Sequence, residues 1–158
     1  MDSIDKIILK MLSQNATASA TEIGGAVGLS IPAVNKRIQK LKESGVIRAC
    51  TVLTDGKKVE KPICAFIMLT VKYGSGVEAL HSFIKSDPDV LECYAVTGDY
   101  DYILKICARD VEALEEKLLT LKKQNGVVKS HTMLALMEHK LSPCALPDME
   151  KTEESNRK

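Results

Sequence analysis

The chain has 158 residues, 45% of them hydrophobic and 27% charged, the make-up of an ordinary globular protein with one or two small domains. Its net charge of +1 is unevenly spread: residues 1–61 hold ten Lys and Arg against six Asp and Glu, a surplus of four, which leaves −3 for the rest. This points to an anionic partner for the first part alone. No run nears the roughly 18 apolar residues of a membrane span, and Asp2 and Asp5 stand where a signal peptide has its basic lead, so a cytoplasmic protein with no membrane contact is expected.

At the start, Ile4, Ile7, Ile8, Met11 and Leu12 repeat at helical spacing and form one apolar stripe. Asp2 is placed to cap that helix, with Asp5 in its first turn. Ser19 and Glu22 spell a capping box for a second helix, which runs to about Val27 and is broken by Gly28 to Ser30. Gly24 and Gly25 lie inside it, each costing about 1 kcal/mol against Ala; close helix approach accounts for Gly24, and nothing accounts for Gly25. Ser30 is expected to cap a third helix, with Pro32 tolerated in its first turn and Gly45 as its stop after Ser44.

Three short helices with a Gly-containing turn between the second and third read as a helix-turn-helix. On the third helix Val34, Ile38 and Leu41 share the inward face. Pro32, Lys36, Gln39 and Lys40 point away, with Asn35 and Arg37 on the flanks. Residues at the start of a recognition helix reach base edges and later ones reach phosphates, which makes Ser30, Pro32, Asn35, Lys36, Arg37 and Lys40 the candidate contacts to double-stranded DNA. The plainer alternative is a solvated face on a three-helix bundle, with Arg37 paired to Glu22 or Asp5.

After Gly45 the pattern predicts a strand from Ile47 to Leu53, a turn at "TDG" and a polar lead-in to Pro62. That strand must find a partner elsewhere. Next come a strand at "ICAFIMLTVK", a helix with Val77, Leu80 and Ile84 inward, and two strands flanking "TGD". A helix capped by Asp110 follows, with Val111, Leu114, Leu118 and Leu121 inward, and a long last strand runs from Val127 to Lys140. The order β-α-β-β-α-β is the ferredoxin-like arrangement. Its helices cover one sheet face, yet the first and third strands are apolar on both. A second copy of the chain is the simplest cover for the other face.

The expected fold is therefore α+β. A helix-turn-helix, winged-helix-like DNA-binding domain spans 1–48, a linker strand and turn 49–61, a ferredoxin-like domain 62–140 and a largely disordered tail 141–158. The five cysteines (Cys50, Cys64, Cys93, Cys107 and Cys144) include no CxxC and mostly alternate with apolar residues, as reduced, buried thiols do. The three histidines lack ligand spacing, so neither a metal nor a cofactor is expected.

Several motifs stand in a telling order: "DxxDxxIL" from Asp2, "GLS" from Gly28, "VxxRIxxLxxxGVI" from Val34, "TGDYD" from Thr97, "GV" at Gly126 and "SxT" from Ser130. Together they resemble the Lrp/AsnC family of bacterial and archaeal transcription regulators, over Asp2 to about Lys140. The resemblance implies a DNA-binding regulator and not an enzyme, whose second domain dimerises, assembles further up to an octamer and binds an amino acid. It implies an effector site where dimers meet, built from the loop Gly98, Asp99, Tyr100, Asp101 and from Ser130, His131 and Thr132 on the last strand. Gly24 and Gly25 depart from the family pattern, His131 stands where a basic residue is common, and Cys144 and the tail lie outside it.

The loop also has a chemical reading. A free amino acid needs acceptors for its ammonium and donors for its carboxylate. Asp99 and Asp101 offer the first, Asp101 being the preferred partner, and the hydroxyls of Ser130 and Thr132 share a face and offer the second. Against this, Gly and Asp are ordinary hairpin-turn residues. Two other functions are compatible with the chain: a ligand-independent nucleoid-organising DNA binder, and an enzyme resembling tetrapyrrole decarboxylases, with Lys129, His131 and His139 gripping carboxylates.

Overall fold

The computed structural model describes residues 1–148 apart from Tyr73, Ser75 and Asn125. They fall into two units, Met1–Val52 with the chain from Lys140, and Leu53–His139.

The first unit is built on α1 (Ser3–Gln14), α2 (Ala20–Val27) and α3 (Ile31–Glu43). Two of the helices begin with complete capping boxes. Asp2 accepts from the Asp5 N–H while the Asp5 carboxylate accepts from the Asp2 N–H, and Ser19 and Glu22 do the same for α2. Ile8, Ile23, Val34 and Leu41, drawn from all three helices, form the core. Each contributes roughly 1.5–3 kcal/mol by leaving water. Ser30 does sit at the N-cap position of α3, but its side chain makes no capping hydrogen bond, contrary to the expectation from sequence. The exposed hydroxyl is left facing solvent at the helix start.

Between α2 and α3 the chain reverses through Gly28, whose φ of 67° is left-handed and whose N–H returns to the Gly24 carbonyl. The next N–H, of Leu29, bonds the same carbonyl at 3.0 Å. This hairpin brings backbone onto Gly24 so closely that a Cβ there would stand 2.6 Å from the Leu29 carbonyl oxygen, whereas nothing lies within 4 Å of one at Gly25.

The second unit is a four-stranded antiparallel sheet of order β2-β3-β1-β4, from β1 (Ile63–Val71), β2 (Val90–Ala95), β3 (Tyr102–Ala108) and β4 (Val127–Leu134). Helices α4 (Val77–Ser86) and α5 (Val111–Lys122) complete the β-α-β-β-α-β order. Alternate residues of β1 and β3 (Ile67, Leu69 and Val71; Tyr102, Leu104 and Ile106) bury with Leu80, Ile84 and Leu121 of the helices. The residues between them, among them Cys64, Phe66, Met68, Ile103 and Cys107, are half-buried on the face without helices. At the start of β2, Lys117 spans Asp87 and Asp89 at 2.6 and 2.9 Å, and Lys61 also pairs with Asp89. Both lysines hold the Asp89 carboxyl below the usual range.

Three further expectations are corrected. The strand expected from Ile47 to Leu53 does not form: a strand needs a neighbour for its N–H and C=O groups, and Val52 and Leu53 are exposed at 81% and 60%. Val111, expected inward, is 64% exposed, because α5 meets the sheet only from Ala113 and Leu114 onward. The last strand stops at Leu134 instead of reaching Lys140, its pairing to β1 ending with the Ala135 N–H on the Cys64 carbonyl. Of the tail expected to be disordered, 141–148 carry no regular structure, and 149–158 lie outside the described residues.

The two adjacent glycines should therefore behave oppositely. Gly25→Ala is expected to raise the melting temperature through helix propensity, by up to about 1 kcal/mol. Gly24→Ala is expected to lower it, since the obstructing atom is backbone and cannot rotate away. Thermal unfolding followed by circular dichroism measures both.

Candidate nucleic-acid interface and effector loop

Helix α3 presents Pro32, Asn35, Lys36, Gln39 and Lys40 as exposed residues while Val34 and Leu41 anchor its other side. Arg37 is different. Its Nη1 donates to Asp2 Oδ2 at 2.7 Å and to Asp5 Oδ1 at 2.8 Å, bridging the recognition helix to the start of α1. Asp5 is 9% exposed, the one charged residue classed as buried among the described residues. The Asp2 carboxyl is held below its ordinary value by the Asp5 N–H and then by Arg37, and the same two carboxylates raise the Arg37 guanidinium.

Of the two partners weighed for Arg37 from sequence, Asp5 is the one found. Glu22 is occupied with Ser19, its carboxylate accepting from the Ser19 N–H at 2.7 Å and hydroxyl at 2.9 Å. Asp2 was missed as a partner. The signal was present, since a capping box puts both of its carboxylates at one helix end. Arg37 thus stands apart from the other candidate DNA contacts: it is half-buried and already paired. An open recess lined by Asp2, Asp5, Ala33, Lys36, Arg37 and Lys40 lies beside the bridge.

In the second unit the loop between β2 and β3 is a tight reversal. Gly98 has φ 113°, a conformation that favours glycine, and Val96 N–H donates to the Asp101 carbonyl at 2.9 Å. Asp101 is tied to β1 twice. Its N–H donates to the Leu69 carbonyl, and its carboxylate accepts from the N–H of Val71 at 2.8 Å. Thr70 adds a longer bond to the Asp99 carbonyl at 3.4 Å. The first role of Asp101 is therefore to serve the backbone where β1 ends.

The register of β4 divides the other candidates. Ser130 is opposite Leu69 and Thr132 opposite Ile67, so both hydroxyls stand on the helix-covered face, together as expected. His131 is opposite Met68 and turns to the open face. Tyr100 from the loop meets it there, ring centroids 6.2 Å apart, with the Lys129 ammonium 5.6 Å from the Tyr100 ring. The seven effector candidates are thus a loop with one aromatic on the open side and two hydroxyls on the other. Lys129, drawn from sequence only into the enzyme reading, joins the aromatic cluster.

A winged helix-turn-helix DNA-binding model matches residues 1–48, and the Lrp/AsnC ligand binding domain matches residues 64–143. The chain belongs to the Lrp/AsnC family of transcriptional regulators. The HTH-type transcriptional regulator FL11 of Pyrococcus horikoshii is 37% identical over 140 residues, covering 89% of this chain and 92% of that protein. FL11 of Pyrococcus abyssi is 36% identical over the same shares. Among solved structures, a transcriptional regulator of Neisseria meningitidis in complex with L-Met superposes with a TM-score of 0.87 at 28% identity, over 93% of this chain and 96% of that one. The family carries with it a DNA-binding helix-turn-helix and a ligand-binding domain, in agreement with the sequence. No described helix is long and apolar enough to cross a membrane.

The backbone role of Asp101 has a measurable consequence. Asp101→Ala leaves the N–H of the buried Val71 without its acceptor and should cost about 1–3 kcal/mol. Asp101→Asn retains an acceptor oxygen and should cost less, and Asp99→Ala, at an exposed position, should leave stability unchanged. Urea unfolding of the three variants checks the order.

Proposed function

We propose that this regulator grips operator DNA with the exposed start of α3 and that a free amino acid, bound by its second domain, alters its DNA affinity or assembly. The observation that carries the first part is the division of labour on α3. Arg37 is spent on Asp2 and Asp5, orienting the helix, while Lys36 and Lys40 remain exposed for phosphates. Pro32 and Asn35 stand on the exposed first turns, and the uncapping Ser30 hydroxyl is a further donor at the helix start. The protein acts as a homodimer through the open sheet face of its second domain, where Phe66, Met68 and Ile103 have no helix over them, and two α3 helices then meet half-sites about 34 Å apart. Such a regulator works in the cytoplasm.

The effector reading is supported by the L-Met complex of the Neisseria regulator and by the chemistry of the loop. Gly98, Asp99 and Tyr100 provide backbone and side-chain groups at the hairpin tip, with Asp101 fixing the tip to β1. Ser130 and Thr132 supply hydroxyl donors to a carboxylate on one face, and His131 and Tyr100 supply aromatic surface on the other. These two faces belong to one strand edge, so an effector using both would be completed by another copy of the chain, as expected of further assembly beyond the dimer.

On DNA, Lys36→Gln and Lys40→Gln should each lower the slope of log affinity against log salt by about 1. Arg37→Gln should lower thermal stability and affinity while leaving that slope nearly unchanged, because its charge is not offered to phosphate. Filter binding over a salt series separates the two classes; loss of slope in Arg37→Gln would make Arg37 a phosphate contact.

A thermal-shift panel of the proteinogenic amino acids tests the effector. One or a few should raise the melting temperature, by about 2.7 kcal/mol of stabilisation at a hundredfold excess over Kd. Ser130→Ala and Thr132→Ala should abolish the shift. A flat panel with intact DNA binding favours the ligand-independent architectural role instead.

A further inference from the structure

We propose that the recess between α1 and α3 is the seat of an acidic stretch of the same chain, residues 150–154, which competes there with DNA for Lys36 and Lys40. This rests on the reading of the two lysines as phosphate contacts, and it gives them an occupant when no DNA is bound. The course of the chain leads to the recess. From Lys140 onward it belongs to the DNA-binding unit, after the excursion of residues 53–139 into the second. Residues 141–148 have no regular structure and leave Leu141 and Leu146 exposed, so they build no core of their own. They are held at the far end. Pro147 is half-buried, and the Asp148 carbonyl accepts from the Lys6 ammonium of α1 at 2.8 Å. That acceptor is backbone, so the contact directs the chain without using an acidic side chain.

Reach is satisfied. The Lys6 N–H bonds the Asp2 carbonyl, which places the two residues one helical turn apart, about 6 Å along the axis. Asp2 is itself on the rim of the recess, which Asp5, Lys36, Arg37 and Lys40 also line. The six residues that follow Asp148 extend by at most roughly 20 Å. The acidic stretch therefore starts within a turn of the recess and is long enough to cross it.

Charge decides what the recess accepts. Asp2 and Asp5 are both taken up by Arg37. Lys36 and Lys40, one turn apart on α3, are exposed, and neither has an ion-pair partner among the described residues. After Asp148 the sequence reads "MEKTEE", three carboxylates against one ammonium, with Arg157 and Lys158 only beyond it. A stretch anchored at the rim by a short connection has an effective concentration on the order of millimolar at the lysines. Exposed carboxylate–lysine pairs are individually weak, which is what a competitor that DNA must displace requires. DNA that offers phosphates alone meets this competition undiminished, whereas a matched operator adds base contacts that the stretch does not oppose.

The test compares the full chain with a variant carrying Glu150→Gln, Glu153→Gln and Glu154→Gln together, by filter binding to non-operator DNA over a salt series. The variant should bind more tightly at low salt, by several-fold and up to about tenfold, and the gain should shrink as salt rises. Changing the exposed Glu112, Glu115 and Glu116 of α5 to Gln removes the same charge elsewhere and should give no comparable gain. With Lys36→Gln and Lys40→Gln present, the tail substitutions should add nothing. Carbodiimide coupling without DNA should join Lys36 or Lys40 to one of the three tail glutamates within one chain, and DNA should suppress that link. Equal gains from the two sets of glutamates, a gain that persists without the lysines, or links to Lys6 alone overturn the proposal. A link between labelled and unlabelled chains in an isotope-mixed sample does so too, since it puts the stretch on another copy. A salt slope unchanged by Lys36→Gln and Lys40→Gln removes the phosphate reading and the competition with it; a lowered slope with no effect of the tail glutamates overturns the competition alone.

Discussion

Strand β1 is bonded along both edges and apolar on both faces, while the helices of its domain cover only one of them. Most of what distinguishes the second domain follows from that asymmetry. The covered face commits Ile67, Leu69 and Val71 to a core with α4 and α5, and this fixes the register of both neighbours. A slip of one residue would exchange the two faces of the strand. The same register sets Ser130 and Thr132 on one side of β4 and His131 on the other, and determines where the loop at Gly98 is stitched to the end of β1.

The DNA-binding unit solves a different problem. It is small, with four fully engaged core side chains, and below the size at which a core alone stabilises a fold comfortably. Much of its definition comes from polar ends: two capping boxes, a left-handed glycine turn, and one arginine that joins two helices through a pair of carboxylates. These contacts are directional where burial is not, so they orient α3 as well as stabilise it.

Much of this was legible in the chain because the deciding patterns are local. Capping boxes, helical stripes, the αL glycine after α2 and the alternation of β1 all act within a few residues, and the elements were found where they were expected. The errors lie where the answer depends on a neighbour. Nothing in "VIRACTVL" says that its strand lacks a partner within one chain, and nothing in the α5 stripe says that Val111 overhangs the sheet. At the site, the carboxylate of Asp101 reads equally well as a ligand group or a turn residue; only the proximity of the Val71 N–H, thirty residues away in sequence, gives it a structural task.

The bridge from Arg37 to α1 also shapes the charge that α3 presents. The surplus of four in residues 1–61 already sets Asp2 and Asp5 against Arg37, so the bridge leaves the net charge of this part, and hence its long-range field, as it was. What it changes is where the positive charge stands: on α3 the exposed cations are Lys36, Lys40 and Lys42. They ride on a helix whose angle to α1 is held by two carboxylates, so their charges are offered to a surface as a set with fixed spacing.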